Sequence, residues 1–381
     1  MERRLPDWLD GYMTYTYETE SRELYRKWVG VSIIAAGLRR KCHIVMGRMR
    51  FYPNLYIVLV GPPAARKGTA MEPGQSLLRT IGIAQAADES SRQKLIQRLR
   101  DSAEQLSLDN QLEFHSSLTI WSSELTVFLG YSNVELLTML CKWFDCESRF
   151  QYETIGRGLE EVSNVWVNLI GATTPTLLQT SLTQGAVGSG FTSRTIFVFE
   201  EDKDRIIIAP TLDNTLEPDI IHDLELISAM SGTFKPDTQF FEAYTDWRID
   251  QEKNPPLNAP SLAGYLERRQ VFLLKLATIF SASRGNSRIV TLADFERAAN
   301  LLKQTEVKMP KVFQGIGLNK FAEVQVRIMD LILKRGCVTI GELMGAFISD
   351  VTKSQLTEIV TGLHAMGFCT VNPITLEVKA K

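Results

Sequence analysis

A glycine and a lysine six positions apart are the residues of this sequence most suited to chemistry. Gly61 and Lys67 frame the segment Gly-Pro-Pro-Ala-Ala-Arg-Lys-Gly-Thr, which follows the apolar run 55–60. In the motif G-x-x-x-x-G-K-[ST], backbone N–H groups wrap the phosphates of a nucleotide, and the lysine reaches its β- and γ-phosphates. A strand before the loop and a helix after it direct a helix N-terminus at the phosphates. The segment 61–69 therefore predicts a site for ATP and Mg²⁺.

The loop departs from the motif at two positions. Arg66 replaces the second glycine, and Gly68 occupies the place of the hydroxyl residue, which follows as Thr69. Because Gly68 can adopt positive φ, a shifted turn would let Thr69 bind Mg²⁺. A proline-rich turn with a chance lysine is the alternative. The residues predicted to contact the nucleotide are Gly61, Pro62, Ala64, Ala65, Arg66, Lys67, Gly68 and Thr69.

An acidic residue ends the second apolar run of the chain. The run 117–121 is followed by Ser122, Ser123 and Glu124. P-loop ATPases place an acidic group at such a strand end to organise Mg²⁺ and the attacking water. We expect Glu124 to be the general base, with a serine meeting the metal through water because the usual preceding aspartate is absent. A helix cap is the alternative role for Glu124.

Hydroxyl groups end the third apolar run. The run 165–175 contains Thr173 and Thr174 near its end, where a sensor of the γ-phosphate is expected. Thr174 is the predicted catalytic member of this pair. Ordinary strand-end threonines are the alternative.

Arginines supply candidate contacts to a γ-phosphate from outside the loop. Arg194 follows the glycine-rich stretch 185–190 and precedes a strand, a position from which it could act on the nucleotide of a neighbouring subunit. A structural arginine is the alternative. Arg268 and Arg269 lie in a helical segment and are candidates for a second sensor, or else belong to a solvated helix face.

The elements that would position these groups form an α/β pattern. Four apolar runs, at 55–60, 117–124, 165–175 and 194–199, predict a central, mostly parallel sheet. The segment 21–41 reads as a helix capped by Ser21, 93–108 as a second helix, and 214–310 as a helical region. The predicted domains are an N-terminal helical segment 1–50, a P-loop core 51–212, a helical lid 213–312 and a winged helix-turn-helix domain 320–381, after a linker containing Pro310, Gly315 and Gly317.

Composition excludes several classes of protein. The chain has 381 residues and 44% hydrophobic content, enough for several cores, and its net charge of −2 excludes the global basic field of a histone-like protein. Five scattered cysteines without a C-x-x-C pair argue against a disulfide framework or a zinc cluster. The longest apolar run near the N-terminus, 28–38, is too short to span a membrane. We expect a soluble cytoplasmic protein with no membrane partner and no secretory signal.

Local basic groups remain candidates for DNA contact. The stretch formed by Arg39, Arg40, Lys41, Arg48 and Arg50 would bind phosphate groups, unless it is a solvated helix end.

The last 60 residues read as three helices and a hairpin, which predicts a winged helix. Its third helix carries Lys353, Gln355 and Thr357 near the end that reaches base edges. A single lysine is a weak electrostatic footprint, so a protein-docking role is the alternative to DNA binding.

With these residues together, the chain resembles a family of P-loop ATPases of phages, prophages and plasmids that are commonly labelled primase/helicase-like. The resemblance implies that Arg-Lys-Gly-Thr is a family variant of the loop. It covers about residues 20–310, and the carrying segments are WVGVSIIAAGLRRKCHI, YPNLYIVLVGPPAARKGTAM, the strand ending at Glu124, LIGATTP, GFTSRTIFVF and LERRQVFLLKLATIFSA.

The resemblance also implies a function. This family is similar to the AAA+ and RecA types of helicase, which act as rings, so it implies a hexameric DNA helicase or translocase of a mobile element in the cytoplasm of a bacterial host. Its partners would be single-stranded or forked DNA and other replication proteins. Priming is not expected, because no primase-like domain precedes the ATPase. The alternatives are a helicase loader that acts on protein and an initiator that binds ATP without turnover.

Overall fold

The chain divides into two compact units, 1–313 and 314–381. The computed structural model describes residues 2–86, 90–108, 111–130, 133–154, 158–181, 190–201, 205–257, 259–313, 322–365, 367–372 and 375–380. The stretch 185–189 and the linker positions 315 and 317, which the sequence analysis singled out, lie outside the described residues.

The first unit mixes strands and helices along its whole length. Its described strands are β1 Cys42–Met46, β2 Met49–Phe51, β3 Tyr56–Val60, β4 Ala103–Leu108, β5 Gln111–Ser122, β6 Arg149–Thr154, β7 Gly158–Ser163, β8 Val165–Thr173, β9 Thr195–Phe199, β10 Gly232–Pro236 and β11 Ile289–Val290. Its described α-helices are α1 Trp8–Tyr15, α2 Glu23–Leu38, α3 Lys67–Thr80, α4 Arg92–Asp101, α5 Leu125–Leu129, α6 Val134–Phe144, α7 Pro175–Ser181, α8 Gly190–Ser193, α9 Glu217–Ala229, α10 Thr238–Lys253, α11 Ala263–Arg284 and α12 Leu292–Glu306.

A five-stranded sheet in the order β4-β5-β8-β3-β9 forms the centre of this unit. The neighbours β5, β8, β3 and β9 are parallel, and β4 pairs antiparallel with β5 at the edge. All residues of β3, β8 and β9 are buried, as their unbroken apolar runs require when helices cover both faces. These strands confirm the prediction of an α/β fold with a mostly parallel sheet.

The strand order brings four chain segments to one edge of the sheet. Parallel strands end at the same edge, so the segments after β3, β5, β8 and β9 lie together there. Strand β3 has β8 and then β5 on one side and β9 on the other, so the order of the strands reverses at β3. A crevice at such a reversal of strand order is where open α/β sheets bind ligands.

The predicted helix over 93–108 is wrong in its second half. Helix α4 ends at Asp101, and 103–108 forms strand β4. The sequence of β4, AEQLSL, pairs residue by residue with the first half of β5. Pairing with a sheet edge overrides the helical preference of the alanine, glutamate and leucine residues.

The predicted helical region 213–312 contains α9 to α12 and also the strands β10 and β11. These strands belong to a second sheet with the order β11-β10-β1-β2. In it, β10 pairs in parallel with β1, so Gly232 lies opposite Cys42, nearly two hundred positions earlier in the chain. Strands of two to five residues carry too little alternation to be detected in the sequence.

The second unit is a small helical domain with its own core. Its described elements are α13 Ala322–Arg335, β12 Cys337–Thr339, α14 Ile340–Phe347, α15 Lys353–Ala365, β13 Cys369–Val371 and β14 Glu377–Ala380. The strands form an antiparallel sheet in the order β12-β14-β13. Gly336 has a φ of 74° and ends α13, as the sequence predicts, because glycine adopts this conformation without strain.

Candidate functional site

The loop after β3 is fixed at its base by the ends of two neighbouring strands. The Gly61 N–H donates to the carbonyl of Thr173 at the end of β8, at 3.3 Å. A Cβ atom at position 61 would lie 2.4 Å from the Glu200 carbonyl oxygen and 2.5 Å from the Tyr25 hydroxyl. Tyr25 in α2 donates to the Val60 carbonyl at 2.7 Å. Gly61 is therefore required here because no side chain fits between these groups.

Two non-glycine residues of the loop have left-handed backbone conformations. The φ angles are 67° at Ala64 and 58° at Arg66. Such conformations cost about 1–2 kcal/mol for residues with a Cβ atom. Alternating backbone handedness of this kind turns successive N–H groups into an anion-binding concavity. Ala64 and Arg66 thus adopt left-handed conformations without the glycines that usually take them, and strain of this kind is often found at functional sites.

Ala64→Gly is expected to stabilise the first unit by about 0.5–1 kcal/mol, because glycine relieves the positive φ at a smaller cost in chain entropy. Ala65→Gly is the matched control: Ala65 is buried and does not have positive φ, so it should destabilise by about 1 kcal/mol. Urea unfolding of the two variants measures both changes. Equal shifts of the same sign would show that the backbone of Ala64 is not strained.

The side chain of Arg66 contacts the segment before α2 instead of folding over the loop. Its guanidinium forms an ion pair with the buried Glu20 at 2.5 Å, and its carbonyl accepts a hydrogen bond from the Ser21 hydroxyl at 3.1 Å. The prediction that Ser21 caps α2 is wrong: Arg22 is the N-cap, and the Ser21 hydroxyl is used in the contact with Arg66. Arg66 thus ties the loop to the segment before α2.

Lys67 lies across the loop as the first residue of α3. Its ammonium donates to the carbonyls of Gly61 and Pro62 at 2.7 and 2.8 Å. Burial lowers the pKa of Lys67, and the negative charge of Glu124 acts in the opposite direction. Lys67 and Glu124 are therefore within electrostatic range of each other.

The first turn of α3 presents backbone N–H groups at the loop. The N-cap Arg66 makes no side-chain hydrogen bond to this turn, and Ala70 makes the first N–H bond back to it. Within the described part of the chain, the N–H groups of Lys67, Gly68 and Thr69 have no acceptor. A helix N-terminus with these free donors favours anions.

The predicted shifted turn at Gly68 is not present. Gly68 does not have positive φ, and α3 continues without interruption from Lys67 through Thr69. A Cβ atom at position 68 would meet nothing within 4 Å, so there is space for a side chain there. Successive helical residues point about 100° apart, so Thr69 does not take the direction of a residue at position 68.

Glu124 lies at the same edge of the sheet, two residues beyond the end of β5. It is the N-cap residue of α5, but its side chain is exposed and makes no capping hydrogen bond. Its carboxylate is therefore not used as the helix cap that the sequence offered as an alternative. Ser122 ends β5 and is buried, whereas Ser123 is exposed.

Thr173 and Thr174 lie between the loop and Glu124, because β8 separates β3 from β5. The Thr174 hydroxyl accepts a hydrogen bond from the Leu177 N–H at 3.3 Å and so caps α7. Thr173 is buried, and its hydroxyl donates to the Thr174 carbonyl at 3.4 Å. Among the described residues, the hydroxyl hydrogen of Thr174 has no acceptor.

Arg194 lies at the opposite edge of the sheet from the loop. It precedes β9, whose first residue pairs with Tyr56 at the start of β3. A strand of five residues is about 17 Å long, so Arg194 cannot reach the loop of its own chain. Its guanidinium instead pairs with Asp145, and its Nη1 donates to the Gly190 carbonyl at 2.9 Å.

The two arginines of α11 do not face the loop either. Arg268 shares the Asp145 carboxylate with Arg194, at 3.4 Å. Arg269 is buried in an ion pair with Glu306 at 2.5 Å. Arg269 is therefore a structural arginine, and Arg268 belongs to the same edge as Arg194.

Most of the predicted basic stretch is used inside the protein. Arg39 pairs with Glu104, and Arg40 donates to the carbonyls of Cys146 and Val165, both at 2.7 Å. Lys41 is buried and donates to the Ser228 carbonyl. Lys41 is a poor phosphate ligand because its ammonium is buried and already donates to a carbonyl; the same burial lowers the pKa of Lys41 to about 8.

Two other members of that stretch remain exposed. Arg48 and Arg50 lie on the hairpin that joins β1 to β2. They are the part of the predicted stretch that solvent, and thus phosphate, can reach.

In the second unit, the side chains near the start of α15 mainly support the helix itself. Gln355 accepts a hydrogen bond from the Thr352 N–H at 2.9 Å, and the Thr357 hydroxyl donates to the Lys353 carbonyl at 2.9 Å. Lys353 is exposed. Among the described residues, the Lys353 ammonium has no partner, and Gln355 uses its amide oxygen but not its amide N–H groups.

No group of three or more histidine, cysteine, aspartate or glutamate side chains is arranged to hold a metal ion in the described ranges. Magnesium in nucleotide sites is usually bound by one or two protein oxygens together with phosphates and water. The exposed carboxylate of Glu124 suits such a shared site, whereas the predicted role of Thr69 as a metal ligand is not supported, because the shifted turn it requires is absent. Among the described residues, no helix combines the length and apolar character that a membrane span requires.

Sequence reasoning missed the residues that hold the loop in place. Glu20, Tyr25 and Glu200 contact it from segments far away in the chain. No motif signals these contacts, because each depends on the packing of α2 and β9 against β3.

Models of known protein families and a search of curated proteins both give no match to this chain.

Proposed function

We propose that this protein is a P-loop ATPase that works as an oligomer. The observation that supports it best is the arrangement at one sheet edge: a strained loop, the free N–H groups of α3, Lys67 and the exposed carboxylate of Glu124. A phosphate chain bound in this crevice would have the N–H groups and Lys67 on one side and the carboxylate of Glu124 on the other. The mixed α/β fold with a parallel sheet is compatible with such a core.

Each residue then has a role in phosphoryl transfer to water. The loop N–H groups and Lys67 bind the phosphates and stabilise the negative charge that develops on them. Glu124 accepts a proton from the attacking water. Thr174 donates a hydrogen bond toward the γ-phosphate. Mg²⁺ would supply further charge stabilisation, held by phosphate oxygens and by Glu124.

Steady-state hydrolysis of ATP by the purified chain tests this proposal. Turnover that requires Mg²⁺ and rises when single-stranded DNA is added is the expected result. Nucleotide binding without turnover under all conditions would favour the initiator instead. The missing hydroxyl at Gly68 and the missing aspartate before Glu124 are the observations that favour this rival.

The position of Arg194 supports an oligomer. Its guanidinium lies at the opposite end of the parallel strands from its own loop. Arg194 and Arg268 share the carboxylate of Asp145, so this cluster of three side chains has a net positive charge. A repeated head-to-tail interface would bring this cluster to the loop of the next subunit, and such an interface forms a ring when the rotation between subunits closes. Arg194 would then stabilise the transition state in trans.

Arg194→Ala and Lys67→Ala are each expected to lose activity and to regain part of it when mixed. In a mixed ring, about a quarter of the interfaces combine an intact Lys67 from one variant with an intact Arg194 from the other. Steady-state hydrolysis as a function of mixing ratio, with assembly followed by sedimentation, measures this rescue.

The double variant Lys67→Ala/Arg194→Ala is the control for that experiment. Mixed with Arg194→Ala, it cannot form a complete interface, so activity should stay at the level of Arg194→Ala alone. Rescue by the double variant, or no rescue at any ratio with assembly intact, would contradict a role for Arg194 in trans.

The resemblance described above makes DNA the expected substrate and a replication helicase or translocase of a mobile element the expected activity. A helicase loader shares the ATPase chemistry but acts on protein. Displacement of a DNA strand by the protein alone separates these two functions, because a loader gives none without its helicase.

The second unit supports a recruitment role within this proposal. Three helices and a three-stranded antiparallel sheet in this order are compatible with a winged helix. The side chains of Gln355 and Thr357 contact their own helix, which leaves Lys353 as a weak basis for DNA affinity. We therefore assign this unit to docking at a site or partner, and the main DNA contact to the first unit.

A further inference from the structure

Helix α4 is strongly basic and lies beside a deep cleft. Its ten residues, RQKLIQRLRD, contain four arginine or lysine side chains and one aspartate. Its buried face, which includes Leu95, Ile96 and Leu99, packs against the sheet. The polar face is consequently directed outward, where it forms one wall of the cleft.

The cleft has a volume of about 1070 Å³ and lies between α4 and the C-terminal end of α3. Arg79 in the last turn of α3 lines one wall, and Lys94 and Arg98 line the other. The floor is the segment 83–86, which is fixed because the Ala86 N–H donates to Thr119 in β5 at 2.9 Å. The walls are therefore held on rigid elements.

The three cations of the cleft have no carboxylate partner within the described ranges, which omit the adjoining residues 87–89. Arg98 donates only to the backbone carbonyl of Gln85, at 3.2 Å, and Lys94 lies 3.4 Å from the Gln97 side chain. In the described lining, the three cations exceed the one acid, Asp101, by two charges; Asp88 and Glu89 belong to the adjoining segment 87–89, outside the described residues.

The other basic residues of α4 are paired. Arg92 forms an ion pair with Glu135, and Arg100 lies 3.4 Å from Glu160. The unpaired cations are thus confined to the cleft wall. Lys94 and Arg98 are one helical turn apart, so their Cβ atoms are about 5–6 Å from each other along the wall.

We propose that this cleft binds the phosphate backbone of single-stranded DNA. A single strand carries one negative charge per nucleotide, so two cations on one helix face can contact separate phosphates. No aromatic side chain lines the cleft in the described residues, so binding depends on phosphates and not on base stacking. This inference rests on the proposed function, whose DNA contact it places on α4 rather than on Arg39 to Lys41.

Helix α3 joins the cleft to the nucleotide loop. It begins at Lys67 and carries Arg79 in its last turn, about 20 Å along the same helix. DNA bound between α3 and α4 therefore contacts the element that presents Lys67 to phosphate. The expected consequence is that losing the cleft charges removes the stimulation of hydrolysis by DNA and leaves the basal rate unchanged.

The test uses the full chain with Lys94→Gln/Arg98→Gln and a fluorescein-labelled oligo-dT, followed by anisotropy across a range of salt concentrations. The double variant should bind about tenfold or more weakly at low salt, and the slope of log affinity against log salt should fall by about 1.4. Arg100→Gln is the matched control on the same helix and should change neither quantity appreciably, because Arg100 is already paired.

Wild-type affinity and slope in the double variant would overturn the proposal, as would equally effective competition by polyglutamate, which would identify an acidic peptide as the occupant. Basal hydrolysis without DNA is measured in parallel. DNA binding that the variant weakens in a protein with no ATPase activity would refute the proposed function and leave the cleft assignment standing. ATP hydrolysis together with DNA binding that the variant does not weaken would refute the cleft assignment and leave the proposed function standing.

Discussion

Lys67→Ala is expected to lower ATP hydrolysis by about 10²-fold or more, because in the proposed site the ammonium is the charge that stabilises the β- and γ-phosphates. The two hydrogen bonds from Lys67 to loop carbonyls contribute little to folding. The free energy of unfolding should therefore change by only about 1 kcal/mol. Phosphate release under saturating ATP and urea unfolding measure the two effects separately.

Lys27→Ala is a suitable control for this variant. Lys27 makes an ion pair with Glu23 on the surface of α2, and removing it should leave hydrolysis at the wild-type rate. Wild-type hydrolysis by Lys67→Ala would exclude the loop as a catalytic nucleotide site. A fully unfolded variant would be replaced by Lys67→Met, which keeps the length of the side chain.

Glu124→Gln is expected to bind ATP normally and to hydrolyse it about 10²- to 10⁴-fold more slowly, because an amide keeps the shape of the side chain but cannot accept a proton. The side chain is exposed and caps no helix, so the substitution should not affect stability. Binding of a fluorescent ATP analogue and single-turnover hydrolysis distinguish a loss of chemistry from a loss of affinity.

Glu113→Gln provides the matched control on the same strand. Glu113 is exposed near the other end of β5, far from the loop. A Glu124→Gln protein that turns over ATP as fast as this control would assign the base to another group. A defect in ATP binding alone would move Glu124 from catalysis to metal or nucleotide binding.

The sequence indicated much of the first unit because its central strands are local, unbroken apolar runs. The strands β3, β5, β8 and β9 were predicted from such runs, and their burial on both faces explains the absence of alternation. Strand β4 was predicted as helix because its residues favour helices when considered alone, and only the adjacent edge of β5 makes them a strand.

The candidate site also has some features that the sequence predicts and others that only the structure shows. A lysine after a buried strand and an acid after another were visible as spacing, and parallel strands necessarily bring Lys67 and Glu124 to one edge. What the spacing cannot show is the order of the strands, which places β8 and its threonines between them. The backbone shape of the loop was likewise hidden, since Ala64 and Arg66 adopt conformations that their residue types do not favour.

The sequence by itself determined the type of fold, the loop and the two catalytic candidates, because these depend on hydrophobic runs and on residues within one or two elements. Only the tertiary structure decided which charged groups are available. Arg39, Arg40 and Lys41 look like a phosphate-binding stretch in the sequence but contact residues 60 to 190 positions away. Charges that are consecutive in the chain can be buried or exposed, and paired or unpaired, according to what packs against them. Burial and pairing are set by contacts distant in sequence, which no local pattern encodes.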